Sequence, residues 1–218
     1  MPAPDLSDLK APIALRNEHI VDKQTAFRVQ QHGKGLHSGN FTIFYPNNVE
    51  NTETPAEPQT LFTVEGKYGI LQERRSFRDA SGLPLFHLYH KPIGVTWYIE
   101  LPGGNDTAIA RLAPNFSLFK DNMEVHIKNA APSTHQEYDV TLQVRGQDIW
   151  KQRTNVYLGE KIVMTAKRTD KLSTYLPGRK IEWDVNVAAG MDLSLASAIV
   201  VVMAANMYNS SMQASSAK

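Results

Sequence analysis

The chain has 218 residues, a formal net charge of +1 and no cysteine. This length suits one large β domain or two small ones, and either can bury a substantial core. The near-neutral charge excludes the overall positive field that marks many nucleic-acid binders, and the lack of cysteine excludes disulfides, thiol nucleophiles and zinc–thiolate sites.

The N-terminal residues are polar, contain Pro2, Pro4 and Pro12, and show no periodicity. We therefore predict a flexible N-terminal arm over residues 1–22. The chain does not start with the basic region and apolar stretch of a secretory signal. We expect a cytoplasmic protein that is not secreted, with peripheral attachment to a membrane as a further expectation.

From Thr25 onward, polar and apolar residues alternate with the period of two that is typical of half-buried strands. The alternation is unbroken in 123–128, 138–145 and 181–187. Weaker strand candidates are 25–31, 40–45, 60–66, 69–77, 84–90, 94–101, 107–112, 147–152 and 155–166. Turn sequences such as Asp79-Ala80-Ser81-Gly82 separate these segments. The pattern predicts one all-β domain of about twelve short antiparallel strands.

Two irregular segments interrupt the early strands. The segment Gly33–Gly39 contains three glycines, a lysine and a serine, as phosphate-binding loops do. A phosphate-binding loop needs a helix immediately after it, and the sequence that follows is strand-like, so we interpret this segment as a loop between strands. The segment 46–59 is rich in Asn and Pro and predicts a flexible loop that could become ordered on binding.

The C-terminal segment differs from the rest of the chain, because no charged residue lies between Asp192 and Lys218. Its alanines and methionines favour a helix over about 191–208, with Asp192 or Ser194 as its N-cap after a break at Gly190. The apolar residues of this helix are Leu195, Ile199, Val200, Val201, Val202 and Met203. A membrane anchor and a strand are alternatives, but the segment is short for a bilayer, lacks basic flanks and is rich in helix formers. A helix buried on all sides is therefore the favoured interpretation.

Three sequence motifs suggest a family. They are Val64-Glu65-Gly66-Lys67, the run Asp79-Ala80-Ser81-Gly82-Leu83-Pro84-Leu85-Phe86, and Val187-Ala188-Ala189-Gly190-Met191-Asp192 before the aliphatic segment. In this order and with this spacing the chain resembles the LURP-one-related family over residues 25–208.

The resemblance implies a fold: an antiparallel β-barrel of about twelve strands around a central hydrophobic C-terminal helix, as in tubby C-terminal-like proteins and phospholipid scramblases. The domain organisation that follows is an arm at 1–22, the barrel at 23–208 and a flexible tail at 209–218. Plant members of the family are linked to defence signalling. Tubby proteins bind phosphoinositides, but no tubby phosphoinositide motif can be matched residue by residue here.

The sequence does not support catalysis or metal binding. His87 and His90 are three residues apart in a strand-like segment, where that spacing directs side chains to opposite faces. No Gly-x-Ser-x-Gly motif is present, and Ser81 belongs to a turn. We therefore expect no enzyme activity, no cofactor and no metal.

Two basic clusters remain as candidate binding residues. They are Arg74, Arg75 and Arg78 in one segment, and Lys167 and Arg168 in another. Arginine and lysine suit a phosphorylated headgroup. The sequence thus predicts a non-catalytic module that binds phosphoinositide or an anionic membrane surface in signalling or stress response, with a protein partner as a further option and nucleic acid disfavoured. The alternative is a scramblase-like protein whose C-terminal segment inserts into lipid.

Overall fold

The fold is known from a computed structural model that describes residues 5–32, 39–46, 58–68, 73–104, 107–115, 122–131, 139–147, 152–169 and 181–216, with only the backbone given for Tyr68 and 207–216. The strands in these residues are β1 (Thr25–His32), β2 (Asn40–Phe44), β3 (Thr60–Tyr68), β4 (Glu73–Asp79), β5 (Pro84–His90), β6 (Trp97–Glu100), β7 (Ala108–Asn115), β8 (Asn122–Lys128), β9 (Asp139–Gly146), β10 (Arg153–Leu158), β11 (Lys161–Arg168) and β12 (Ile181–Val187). One helix, α1 (Leu193–Ser216), follows them, and a 3₁₀ turn at Asn17–His19 precedes them.

The twelve strands form a closed antiparallel barrel. Each strand pairs with its neighbours in sequence, and β12 pairs with β1 to close the sheet. The alternation has the predicted consequence: in β12, Trp183, Val185 and Val187 are 3%, 1% and 0% exposed, whereas the residues between them are only partly buried. The predicted fold class, an antiparallel barrel with a C-terminal helix, is therefore confirmed.

The strand prediction was wrong between residues 147 and 168. The predicted strand 155–166 is in fact two strands, because Gly159 and Glu160 form a turn between β10 and β11, with φ of 59° at Gly159. Glycine reaches positive φ without steric cost, so a single glycine reverses the chain inside an apolar run. The described ends of the predicted strand 147–152, Gln147 and Gln152, are not in a strand.

The helix α1 lies inside the barrel. Leu195, Ile199, Val200, Val201 and Val202 are fully buried, and Met203 is partly buried against the same core. The prediction of a helix buried on all sides is confirmed, and insertion of this segment into lipid would require it to leave the barrel. Within the described residues, no helix is long and apolar enough to cross a bilayer. The helical backbone continues to Ser216, into the predicted tail 209–218.

The N-terminal segment covers the end of the barrel at which α1 begins. Ile13, Ala14 and Leu15 are buried. Asp192, one of the two predicted N-cap residues, precedes α1, and its carboxylate accepts hydrogen bonds from the backbone N–H of Leu15 and Arg16, both at 2.9 Å, and from that of Ser194 at 2.6 Å. Residues 5–22 were predicted to be a loose arm, and this difference arises because their bonding partners lie near the other end of the sequence.

Candidate functional site

The two ends of the barrel differ in what they present to solvent. We call the end covered by the N-terminal segment the helix-start end. The opposite, helix-exit end contains the last residues of β3, β5, β9 and β11 and the first residues of β4, β6 and β10. Arg75, near the start of β4, donates a hydrogen bond to the carbonyl of Val201, so α1 approaches the helix-exit end there.

Arg75 was predicted to bind an anionic lipid, but its side chain points into the barrel. It is 3% exposed, and its guanidinium donates hydrogen bonds to the Glu73 carboxylate at 2.6 Å and to the Val201 carbonyl at 3.2 Å. Its Cζ lies 5.4 Å from the ring centre of Phe41 and 5.0 Å from that of Trp97. These contacts leave Arg75 inaccessible to a ligand outside the barrel, so its role is structural.

Arg74 and Arg78 face outward, but they belong to different ends of the barrel. Arg74 pairs with the buried Glu100. Arg78 donates to the carbonyl of Gly82 at 3.0 Å, in the β4–β5 turn of the helix-start end. Four residues of extended strand separate them by about 13 Å, so only Arg74 lies near the helix-exit end.

Lys167 and Arg168 lie on the other side of the barrel from Arg74. Passing from β4 to β11 crosses β3, β2, β1 and β12, which is about 24 Å along the sheet at ~4.8 Å per strand. The predicted residues therefore do not form one headgroup site. Arg74, Lys167 and Arg168 do share the helix-exit end, because Arg74 is near the start of β4 and the other two are the last residues of β11.

Further cations that the sequence analysis did not select lie at this end. Arg153 is the first residue of β10 and lies directly opposite Lys167, and both side chains are exposed. Within the described part of the chain neither forms an ion pair, and like charges in this position repel each other. Arg145 of β9 lies over the ring of Tyr157 at 4.6 Å. In 138–145 the even positions are apolar and the odd positions are polar, so the alternation places Arg145 on the outer face. The sequence therefore contained a signal for this residue.

The β5–β6 loop carries the most exposed large apolar residue among the described residues. Ile93 is 92% exposed, and Val95 in the same loop is 37% exposed. Ile93 lies between Pro92 and Gly94, and Gly94 has φ of 101°, so the chain turns there and cannot continue as the predicted strand 94–101. An isoleucine held in a turn between Pro and Gly is the sequence signal for this exposed tip.

Basic and aromatic side chains surround the base of this loop. The Nζ of Lys91 lies 5.0 Å from the ring centre of Tyr98, and Tyr98 stacks on Tyr89 with ring centres 5.4 Å apart. In the barrel register, Tyr89 is the partner of Arg74, and Tyr98 is the partner of Arg111. Lysine above an aromatic ring keeps a positive charge next to the apolar tip.

The pKa of His87 is shifted by burial and by the charges near it. Burial lowers the pKa of His87 below its ordinary value, and the charge of Arg74 lowers it further, partly opposed by Glu100. Its Nδ1 lies 3.1 Å from the Ser76 hydroxyl. His90 instead contacts Trp97, which faces the barrel interior. Among the residues that the structure describes, no group of His, Asp or Glu is arranged to hold a metal ion.

Some predicted segments cannot be compared with the structure. The glycine-containing segment 33–38 and most of the 46–59 loop, residues 47–57, lie outside the described residues.

Comparison with known proteins identifies the family. The chain is similar to a protein of Arabidopsis thaliana whose X-ray structure is known, with 18% sequence identity, a TM-score of 0.56, and coverage of 88% of this chain and 97% of that chain. This likeness concerns the fold. No curated protein matches the chain significantly. The family model described as LURP-one-related matches residues 25–204, which include all twelve strands and most of the buried part of α1. The chain therefore belongs to the LURP-one-related family.

Proposed function

We propose that this protein is a non-catalytic intracellular module that binds peripherally to anionic phospholipid surfaces, with polyphosphoinositides as the most highly charged of these lipids. The helix-exit end would face the membrane. The observation that carries the proposal is Ile93, 92% exposed at the tip of a loop that also contains Lys91. An exposed aliphatic tip beside cations suits the boundary between headgroups and acyl chains.

Membrane binding needs both the apolar tip at Ile93 and the cations near it, as the free energies of the two contributions show. Transfer of an isoleucine side chain out of water stabilises binding by about 2 kcal/mol. Each lysine or arginine near an anionic surface adds about 1 kcal/mol, and this contribution is screened by salt. Lys67, Lys91, Arg153 and Lys167 are exposed or lie in loops near this end. Either element alone gives marginal binding, and together they give reversible association.

The cytoplasmic leaflet is the anionic one, which is why the proposal includes a cytoplasmic location. A role in signalling or stress response would follow from recruitment to that leaflet. The scramblase-like alternative is not proposed, because it needs the C-terminal segment in lipid, and residues 193–202 are buried in the barrel.

Co-sedimentation of detergent-free protein with liposomes tests the proposal. The liposomes contain phosphatidylcholine alone, with phosphatidylserine, or with a phosphoinositide, each over a series of salt concentrations. We expect binding only to the anionic liposomes, with progressive loss as salt rises. The double variant Ile93→Ser, Lys91→Glu should lose binding at least tenfold, since it removes about 2 kcal/mol of insertion and reverses one charge.

Leu83→Ser provides the matched control. Leu83 is also an exposed loop residue, at 64%, but it lies at the helix-start end. Its substitution should leave liposome binding unchanged. Equal binding to neutral and anionic liposomes would contradict the proposed preference for anionic lipid. Equal loss of binding in both variants would show that the helix-exit end is not the membrane-facing surface.

A further inference from the structure

A cleft at the helix-start end suggests a second site. It has a volume of about 410 Å³ and lies between the N-terminal 3₁₀ turn, the end of β2, the start of β3, the β4–β5 turn and the first residue of α1. Its size falls in the range of small-molecule sites. It lies at the opposite end of the barrel from the proposed membrane-facing surface, so the two inferences are independent.

The cleft has an apolar floor and a polar rim. Phe62, Leu61 and Leu193 supply the floor together with Ile20 and Val21, and these are buried or partly buried side chains. The rim contains polar side chains from four segments: Glu18, His19, Tyr45, Gln59, Thr60, Asp79 and Ser81. An apolar floor with a few convergent polar groups is the usual composition of a small-molecule site.

His19 supplies the specific feature of this cleft. Its ring stands edge-on to Phe62, with ring centres 4.9 Å apart and an angle of 78° between the planes. Its Nε2 is buried and has no hydrogen-bond partner in the described part of the chain. An unsatisfied buried polar atom destabilises the folded protein, so a bound molecule that hydrogen-bonds this nitrogen would recover that free energy.

The lining also defines the charge of the ligand. Among the described residues it contains no lysine or arginine, so a carboxylate or phosphate would find no counter-charge there. Glu18 is paired with Arg16 at 2.6 Å. One carboxylate oxygen of Asp79 accepts the backbone N–H of Ser81 and of Leu83, both at 2.9 Å, and the Ser81 hydroxyl at 2.6 Å. Both acids are therefore already engaged, and neither needs a cation from a ligand.

We propose that this cleft binds a small uncharged molecule that places an apolar ring or chain on the partly exposed Leu61, Ile20 and Val21 and forms a hydrogen bond with Nε2 of His19. Because Nε2 of His19 is buried, the 3₁₀ turn that carries His19 would shift when the ligand binds this atom. The barrel itself would stay unchanged, because the other walls of the cleft come from turns and strand ends.

Nile red, a neutral aromatic dye with a carbonyl oxygen, is a suitable probe. We expect saturable binding at one site with increased fluorescence. Ala80→Trp would fill the mouth of the cleft from the β4–β5 turn and weaken binding at least tenfold. Leu83→Trp adds the same side chain to the same turn outside the lining, and should bind the dye as the unsubstituted protein does.

A second variant tests the hydrogen bond. His19→Phe keeps an aromatic ring against Phe62 and removes the nitrogen, so the affinity for Nile red should fall about fivefold, the equivalent of one hydrogen bond. NMR signals of the His19 imidazole should shift on dye binding more than those of the other histidines. Ile93→Ser should not change dye binding, whatever it does to liposome binding.

Three results would overturn the proposal: no saturable dye binding, equal affinity in Ala80→Trp and Leu83→Trp, or a full affinity in His19→Phe with no shift of the His19 signals. Circular dichroism of each variant establishes that the barrel is intact, so a loss of binding is not a loss of fold.

Discussion

Replacing Arg75 with methionine should destabilise the barrel without affecting ligand binding at its surface. The buried guanidinium bonds Glu73 and the Val201 carbonyl, and it lies between two aromatic rings. Removing one partner of a buried ion pair costs about 3–5 kcal/mol, because the other charge is left unpaired. Glu73 keeps 21% of its side chain exposed, so water offsets part of this cost. Methionine also restores apolar contacts with the rings. We expect a loss of about 3 kcal/mol in the free energy of unfolding.

Urea denaturation followed by tryptophan fluorescence measures this loss, since Trp97 lies beside Arg75 and Trp183 is also buried. With an m-value of about 2.5 kcal/mol/M, the midpoint should fall by about 1 M. The double variant Arg75→Met, Glu73→Gln removes the unpaired charge as well and should recover to within about 1 kcal/mol of the unsubstituted protein. A single variant as stable as the unsubstituted protein, or a double variant no better than the single, would refute this reasoning. Weaker liposome binding by a folded Arg75→Met would show that Arg75 does contact lipid.

Three further predictions concern the core, pH and the N-terminal segment. Val201→Asp buries a charge inside the barrel and should abolish soluble expression, whereas the isosteric Val201→Thr should still be expressed in soluble form. A soluble, folded Val201→Asp variant would contradict a helix enclosed by the barrel. The pKa of His87 is lowered from 6.5, so the unfolded state takes up the proton first, and the free energy of unfolding should fall as pH drops below about 6.5. In His87→Gln the free energy of unfolding should depend less on pH in this range. An unchanged pH dependence would contradict this role of His87. Gly190 and Gly82 share a φ of 88°, so replacing either with alanine should cost ~1–2 kcal/mol of backbone strain. Only at Gly190 would the new Cβ lie 3.0 Å from Leu9, so Gly190→Ala should lose more stability and have the lower melting temperature of the two. Equal melting temperatures would mean that the N-terminal segment is not packed there.

The sequence alone predicted much of the barrel, because a period of two and a short turn are local properties. The first residues of β1, β2, β3, β5 and β12 agree with the predicted segments. The uncharged C-terminal segment predicted a buried helix, because an apolar helix must bury its whole circumference, and its length and missing basic flanks disfavoured a bilayer. The error at 155–166 was also local: one glycine with positive φ outweighed an apolar run.

The choice of Arg75 as a candidate binding residue gave more weight to its charge than to its position in the alternating pattern of β4. In β4, Phe77 faces the core, so Arg75, two residues earlier, must face it too. The sequence contained this information, and the local pattern could have removed Arg75 from the candidates. The exposed Ile93 was also within reach, since it stands between Pro92 and Gly94 in the sequence.

Which charges share a surface was decided only by the tertiary structure. Arg74 and Lys167 lie on opposite sides of a closed barrel, and this separation depends on how the strands pair and close rather than on either segment. The N-terminal segment is the clearest case: its backbone N–H groups bond Asp192, up to 177 positions away. Hydrophobic periodicity records which face of an element is buried, but it carries no information on which distant carboxylate satisfies a backbone group. Local alternation in the sequence therefore determined the strands, and the uncharged, apolar composition of the last segment determined the buried helix. Long-range hydrogen bonds and barrel closure determined the covered end, the cleft beside His19 and the grouping of cations at the helix-exit end.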